Sequence, residues 1–389
     1  MEMVFEQPQY RNETSTMKYY IGVDLHRQFS QFAVLDEIGQ TVGQFRAQND
    51  KIELSDKLRI YPPQDTKVVV EASRGTLWFV DFLESLGYQW LVGHPLKIKA
   101  IASARIKNDK IDAKVLAHLL RTDLVPAAYI PPAPYREWRD IIRYRISLNH
   151  SRKRLKNKIH AVLIKYNVIH GFSNLFGKQG RLFLKNDLEN RIPEYSRLIV
   201  LNYLALIENF DQKMKEAEQK IVAIAKDIPE AKLLTTIPGI KHFTALLILG
   251  EVGDVRRFPS PKKLCSYAGI TPSVHQSANI QRYGSITKQG SSHLRWALIE
   301  AAQKISRYPK FKKLAYRLKI KKGWNTAKVA IARKLLTTIY YMLKYQQPYF
   351  PDGWTISDSK KNPLKNPSTV TVDSGQLHGC LYGQKPHTI

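Results

Sequence analysis

Four carboxylates stand where they could share a divalent cation: Asp24 in YYIGVDLHR, Glu71 in KVVVEASRG, and Asp109 and Asp112 in RIKNDKIDAKVLA. The first two end apolar, β-branched runs, where a buried strand would surface. The other two are three residues apart, one turn of a helix. Carboxylates gathered at strand ends in a chain of formal charge +28 describe a cation cage rather than a solubilising face. Mg²⁺ takes oxygen ligands and leaves room for phosphate, so the chemistry to expect is phosphoryl transfer. Each acid also has an ordinary reading: Asp24 capping a turn, Glu71 pairing with Arg74, Asp109 as the N-cap of a helix starting near Ile111. His26, beside Asp24, reads as a hydrogen-bonded neighbour and is left outside the ligand set.

The elements that must position these acids can be read from the pattern. KYYIGVD, SQFAVLD and TVGQFRA are three short apolar runs separated by turns, the last pair joined by Glu37-Ile38-Gly39-Gln40, which predicts three consecutive antiparallel strands. A helix near residues 50–60, the strand VVVEA, a helix closed by Gly87, the strand YQWLVG and two further helices follow, the second carrying Asp112. The order βββαβαβα, with acids on the first and fourth strands and on a late helix, resembles the ribonuclease-H-like fold of RuvC-type nucleases. That resemblance implies two Mg²⁺ ions held by the four acids, ~3.5–4 Å apart.

Composition agrees with a nucleic-acid enzyme. The 389 residues include 61 Lys+Arg against 33 Asp+Glu, and 43% are hydrophobic, enough for a sizeable core. A pI of about 9.9 attracts polyanions. No run approaches the ~20 apolar residues of a spanning helix, and the first residues lack the order of a signal peptide, so a cytoplasmic, nucleoid-associated protein with no membrane partner is expected. Cys265 and Cys380 have no CxxC partner, which excludes a zinc ribbon.

The charge is uneven. No acidic residue lies between Asp140 and Asp187, where Arg143, Arg145, Arg152, Lys153, Arg154, Lys156, Lys158 and Lys165 crowd together, and from Val255 to Pro351 the only acid is Glu300. A charge run usually marks a solvated helix face, but two acid-free stretches point to nucleic-acid contacts. The candidates are Arg143, Arg152, Lys153, Arg154, Lys156 and Lys158 in the first stretch, and Arg282, Lys288 and Arg295 in the second. Tyr283, Trp296, Tyr308, Tyr316 and Trp324 interleave with the later charges, as base-stacking platforms or as core.

The domains expected are an N-terminal extension (1–17), the RuvC-like unit (18–130), a helical coiled-coil region (131–229), a mainly α C-terminal region (230–345) and a flexible tail (346–389). The middle contains a long helix from Pro134 to Tyr166 and a second carrying Val200, Tyr203, Ile207, Phe210, Met214, Ala217, Ile221 and Ile224 in 3-4 spacing. That seam pairs either within one chain or between chains. Gly171 to Gly180 should form a loop. In TTIPGI, an Ile-Pro-Gly-Ile turn between apolar helices resembles a helix-hairpin-helix, whose turn amides hold a backbone phosphate.

YIGVD, VVVEASRG, KNDKIDAKVLA, TTIPGI, YAGITP and GSITKQGSSHLRWAL together resemble, in this order, the DEDD-type insertion-sequence transposases, which include the Piv DNA invertases and the bridge-RNA-guided recombinases. The resemblance spans about Tyr19 to Leu343. It implies that Asp24, Glu71, Asp109 and Asp112 bind Mg²⁺ and that Ser277, after YAGITPSVHQ, is the nucleophile. Ala278 and Asn279 stand where the family often has glycine, which keeps Ser273 and Ser285 as alternatives, and His275 is a neighbouring candidate base. A phosphoserine intermediate conserves the energy of each broken phosphodiester through two displacements. The resemblance further implies double-stranded donor and target DNA, a structured guide RNA, and a homodimer or homotetramer with composite sites. Two other readings remain: a RuvC-like endonuclease that hydrolyses branched DNA with the acids alone, and a basic nucleic-acid-binding scaffold without catalysis.

Overall fold

The first three apolar runs become β1 (Tyr19–Leu25), β2 (Phe29–Leu35) and β3 (Thr41–Gln48) of a five-stranded sheet in the computed structural model, which describes residues 17–102, 108–277 and 280–350. After α1 (Lys51–Leu58), whose N-cap Asp50 accepts from the amides of Ile52 and Glu53, come β4 (Thr66–Glu71), α2 (Thr76–Ser85), β5 (Gln89–Gly93), α3 (Pro95–Ile101) and α4 (Asp109–Arg121). The strand order is β3-β2-β1-β4-β5, with β1, β2 and β3 antiparallel in sequence and β1, β4 and β5 parallel. This mixed sheet fills the first of two units, which divide after Pro131.

The period-2 alternation of β1 decides what each face of the sheet does. Ile21, Val23 and Leu25 join Phe32, Val68, Val70, Phe79 and Leu83 in one core layer. The opposite face of the sheet packs Val69 against Leu116, Leu119 and Leu120 of α4. Gly22 and Asp24 share that second face. A Cβ on Gly22 would lie 2.0 Å from the Ala113 carbonyl oxygen and 2.5 Å from the Ala117 amide nitrogen. Only glycine lets α4 lie this close to the central strand.

The second unit is built on two long helices, α5 (Ala133–Lys165) and, beyond the short α6 (Lys178–Asn186), α7 (Glu194–Asp227). They pack against each other within the chain, burying Val200, Leu204, Ile207, Met214, Ala217, Ile221 and Ala225 of α7. Of the expected seam, Tyr203, Phe210 and Ile224 are only half-buried, with Leu204 and Ala225 taking the inner positions. Ion pairs Arg145–Glu218 and Arg152–Asp211 step in opposite directions along the two helices, so they run antiparallel. The loop expected to Gly180 ends at the N-cap Gly177, and Gly180 lies inside α6, where a Cβ would come within 2.1 Å of the Leu175 carbonyl oxygen.

α8 (Pro229–Thr235) and α9 (His242–Val252) flank the Ile-Pro-Gly-Ile turn, where Gly239 has φ +91° and packs on Lys304. The rest comprises α10 (Pro261–Tyr267), a hairpin of β6 (Pro272–Ser277) and β7 (Ile280–Ile286), α11 (Ser292–Ile305) and α12 (Pro309–Tyr345), broken at Gly323 by φ +77°. The apolar faces of α10, α11 and α12 form one core with α8 and α9. The hairpin is the one pair of strands described in this mainly α region. Among the described residues no helix is long and apolar enough to cross a membrane. Most of the expected N-terminal extension, and the tail beyond Phe350, lie outside the described residues, as do Ala278 and Asn279.

Candidate active site

Asp24 is the penultimate residue of β1, and the close approach of α4 at Gly22 sets the start of that helix beside it. Asn108, not Asp109, is the N-cap: its side chain accepts from the Lys110 amide. Asp109 is therefore the first helical residue, free of the capping role, and both Asp109 and Asp112 lie in the first turn, where the helix field favours negative charge. Glu71 closes β4, one position beyond the Val23–Val70 register pair, and its carbonyl accepts from the Thr76 hydroxyl. The fold thus delivers the acids from three separate elements.

The tightest grouping contains His26, the neighbour of Asp24 that the sequence reading sets outside the ligand set. His26 Nε2 lies 3.3 Å from Asp24 Oδ2 and 3.2 Å from Asp109 Oδ2. One donor atom from each of Asp24, His26 and Asp109 falls within 4.8 Å of the others. Burial raises the Asp24 pKa, opposed by the adjacent His26 and reinforced by the like charges of Asp109 and Asp112. A carboxylate so placed gains from any cation that enters. The donor set fits a divalent ion by another observation: His26 Nε2 is buried and has no aligned hydrogen-bond partner. Glu71 and Asp112 stand outside this closest group, on the next strand and one helical turn farther on.

Beside Asp109 an open pocket is lined by Gln31, Gln44, Phe45, Arg46, Asn108 and Lys110. Gln44 Nε2 donates to the Lys110 carbonyl, tying β3 to α4. Arg46 and Lys110 put cations next to the carboxylates, as a site that accepts phosphate requires.

The second unit sorts the basic candidates into two kinds. Arg143 grips Glu251, whose side chain is 4% exposed, with Nη2 at 2.9 Å from Oε1 and 3.1 Å from Oε2. Arg152 is bound to Asp211 at 2.6 Å, Lys156 lies over the Phe176 ring at 4.7 Å and Lys158 over Tyr203 at 5.2 Å. Burial, and then the Arg152 charge, lowers the Lys156 pKa. Lys153 and Arg154 are exposed, and Arg143 and Lys158 remain exposed as well despite these contacts.

Arg295 is half-buried and likewise engaged by neighbouring groups. Its Nη1 donates to the carbonyls of Ala268 (3.3 Å), Gln289 (2.9 Å) and Gly290 (3.0 Å), at the base of the β6–β7 hairpin. The Thr287 amide donates to Thr271 and the Lys288 amide to Gly269, closing that base. Ser277 ends β6, paired with Ile280, and so sits at the hairpin's far end. The Ser273 hydroxyl donates to the Ser285 carbonyl across the strands. Arg282 and Lys288 are exposed along the hairpin, Lys288 with φ +54°.

A third basic surface lies on the first half of α12, where Lys312, Lys313, Arg317, Lys319, Lys321 and Lys322 are exposed. Tyr316 and Ile320, one turn apart among them, are 69% and 67% exposed. Trp296 and Tyr308 are also exposed, while Trp324 packs against the core.

Two known sequence families match the chain. Residues 21–168 match the DEDD transposase family of the IS110 type, described as Transposase. Residues 231–316 match the Transposase IS116/IS110/IS902 family. The chain thus carries two domains of the IS110/IS116 family of insertion-sequence transposases, whose members catalyse DNA strand cleavage and joining. Among curated relatives, the transposase for insertion sequence element IS1111A of Coxiella burnetii is 26% identical over 337 residues, covering 85% of this chain and 90% of the relative. The pilin gene-inverting protein of Moraxella bovis is 27% identical over 354 residues, 85% of this chain and 98% of its own length. That of Moraxella lacunata is 36% identical over 151 residues, 37% of this chain and 47% of the relative.

Proposed function

We propose that this transposase cuts and rejoins DNA through a divalent-cation site on Asp24, Glu71, Asp109 and Asp112 and a covalent intermediate on Ser277. The convergence of Asp24 and Asp109 on one point, with Asp112 one turn away, is the observation that carries the reading. Two Mg²⁺ ions are the cofactor proposed. When bound they would supply charge stabilisation for the phosphate as it is transferred. The order of strands and acids supports a RuvC-like fold for the N-terminal unit, and the antiparallel packing of α5 on α7 supports an intrachain coiled coil.

In the first step the Ser277 oxygen attacks the scissile phosphorus and the bond from phosphorus to one sugar oxygen breaks. The proton lost by serine is taken up by the carboxylate-rich site and returned to the departing sugar oxygen. In the second, a sugar hydroxyl from the strand to be joined attacks the phosphoserine, and serine leaves with its proton restored. Bond count and charge are conserved, so no external energy is needed.

The exposed cations, Lys153, Arg154, Arg282, Lys288 and those on α12, would meet DNA phosphates. By resemblance to the family, target choice belongs to a structured guide RNA pairing with donor and target DNA, and a dimer or tetramer would assemble sites in which the serine of one subunit serves the carboxylates of another.

Incubating the protein with labelled donor and target DNA and denaturing the mixture tests the central claim. Wild type should yield a protein–DNA adduct that Ser277→Ala and Asp24→Asn both lack. A second reading, hydrolysis by the carboxylates alone, is favoured by their lying wholly within the N-terminal unit. Full cleavage by Ser277→Ala would establish it and remove the serine mechanism. If Asp24→Asn and Glu71→Gln left cleavage and joining unchanged, the basic surfaces would be those of a scaffold.

A further inference from the structure

We propose that His26 is itself a ligand of the cation held by Asp24 and Asp109, and that it biases this site toward a first-row divalent ion such as Mn²⁺ over Mg²⁺. The inference rests on the reading of the carboxylates as a metal site and adds a nitrogen donor to it.

The spacing fits three ligands of a single ion. Nε2 stands 3.3 Å and 3.2 Å from the two carboxylate oxygens. An octahedral ion with bonds of ~2.1 Å holds neighbouring donors ~3 Å apart. A charge-assisted N–H···O bond closes to ~2.7–2.9 Å and aligns. Here Nε2 is buried and makes no aligned bond to either acid. A ring nitrogen that faces two carboxylate oxygens, with one donor atom of each residue within 4.8 Å of the others, has the arrangement of a ligand set.

His26 is also held in place. It occupies the tight β1–β2 turn, where its amide donates to the Phe29 carbonyl at 3.1 Å and its carbonyl accepts from Asn49 Nδ2 at 2.8 Å. The imidazole packs on Phe29 with ring centroids 4.6 Å apart, and Arg46 lies over Phe29 at 3.4 Å. A ligand whose backbone and ring plane are fixed loses little freedom when the ion arrives. The nitrogen also changes which ion is preferred: Mg²⁺ demands hard oxygen donors, whereas first-row ions gain from imidazole along the Irving–Williams order.

The test uses the full chain without nucleic acid and Mn²⁺ alone as the probe, read by electron spin-echo envelope modulation and by titration calorimetry. Wild type should show ¹⁴N modulation from a bound imidazole, and His26→Gln, which keeps the backbone bonds of the turn, should lose it. Mn²⁺ affinity should fall by at least the ~10-fold that losing even an outer-shell partner costs, with Mg²⁺ competing correspondingly better. His26→Asn should behave alike, and thermal melts establish that both variants fold. Mn²⁺ bound to wild type without ¹⁴N modulation, or modulation that survives His26→Gln, overturns the role of His26 while leaving the carboxylate site intact. Mn²⁺ binding indifferent to Asp24→Asn overturns both.

Discussion

Gly22 and Ala113 are in backbone contact: a Cβ on Gly22 would stand 2.0 Å from the Ala113 carbonyl oxygen. Asp24 is two residues beyond Gly22 on β1, and Asp109 is one helical turn before Ala113 on α4, so this contact sets the distance between the two carboxylates. Gly22→Ala must therefore push α4 off the sheet. Overpacking of this kind costs about 1–3 kcal/mol, and backbone has less room to yield than a side chain. We expect the melting temperature to fall and Mn²⁺ affinity to collapse with it, because Asp109 moves with the helix. Retention of wild-type Mn²⁺ affinity in a destabilised Gly22→Ala would dissociate the site from this contact.

The two kinds of cation on α5 separate in experiments that read both stability and binding. Arg143→Ala would leave Glu251 buried and without its guanidinium, a loss of about 3–5 kcal/mol for an uncompensated charge. Its effect on nucleic-acid affinity should follow only from unfolding. Arg154→Ala should leave the melting temperature unchanged and lower the slope of log affinity against log salt by about 1, as removing one phosphate contact does. Fluorescence anisotropy over a salt series, beside thermal melts, checks both. An unchanged salt slope for Arg154→Ala would remove that face of α5 from the interface.

The contrast shows what one chain of letters can carry. Asp24 and Glu71 are legible because each ends a run of buried, β-branched residues, and Asp109 and Asp112 because they open a helix. His26 is not, since a histidine beside an acid has many innocuous explanations and its second partner, Asp109, is far away in sequence. Arg143 and Arg152 look alike in an acid-free run, because Glu251 and Asp211 are on other helices. The β6–β7 hairpin is obscure for a different reason. PSVHQS and IQRYGS are short and polar, and the pair is held by carbonyls that Arg295 gathers from outside the strands.

Asp211 supplies a pH dependence. Burial opposes its ionisation, but hydrogen bonds from Arg152 and Arg181 outweigh that and hold its pKa below the usual carboxylate range. A depressed folded pKa contributes stability that is present above the unfolded value of ~3.9 and is lost as pH falls through the folded pKa. Asp211→Asn should cost about 1–2 kcal/mol at neutral pH, between the limits for exposed and buried pairs. It should also flatten the decline of stability below pH ~4. Denaturant melts at stepped pH, followed by helical circular dichroism, measure both; a decline as steep in the variant as in wild type would assign the acid sensitivity to other groups.

Arg295 bears on the proposed nucleophile, Ser277, through the hairpin that carries it. Its Nη1 holds the carbonyls of Ala268, Gln289 and Gly290, joining the turn before β6 to the loop after β7. Hydrogen bonds from a charged donor are each worth ~1.5–3 kcal/mol, so Arg295→Ala should free the base of the hairpin before it unfolds the helical core. Amide exchange at Thr287 and Lys288 should quicken, while exchange in α9 and α11 stays near wild type. Covalent adduct formation should drop, with DNA affinity and its salt slope unchanged, since this guanidinium is already engaged by carbonyls. Arg295→Lys, which can reach one or two of the three carbonyls, should fall between the two. If Arg295→Ala instead lowered the salt slope and left hairpin exchange untouched, Arg295 would be a phosphate contact rather than the clamp that positions Ser277.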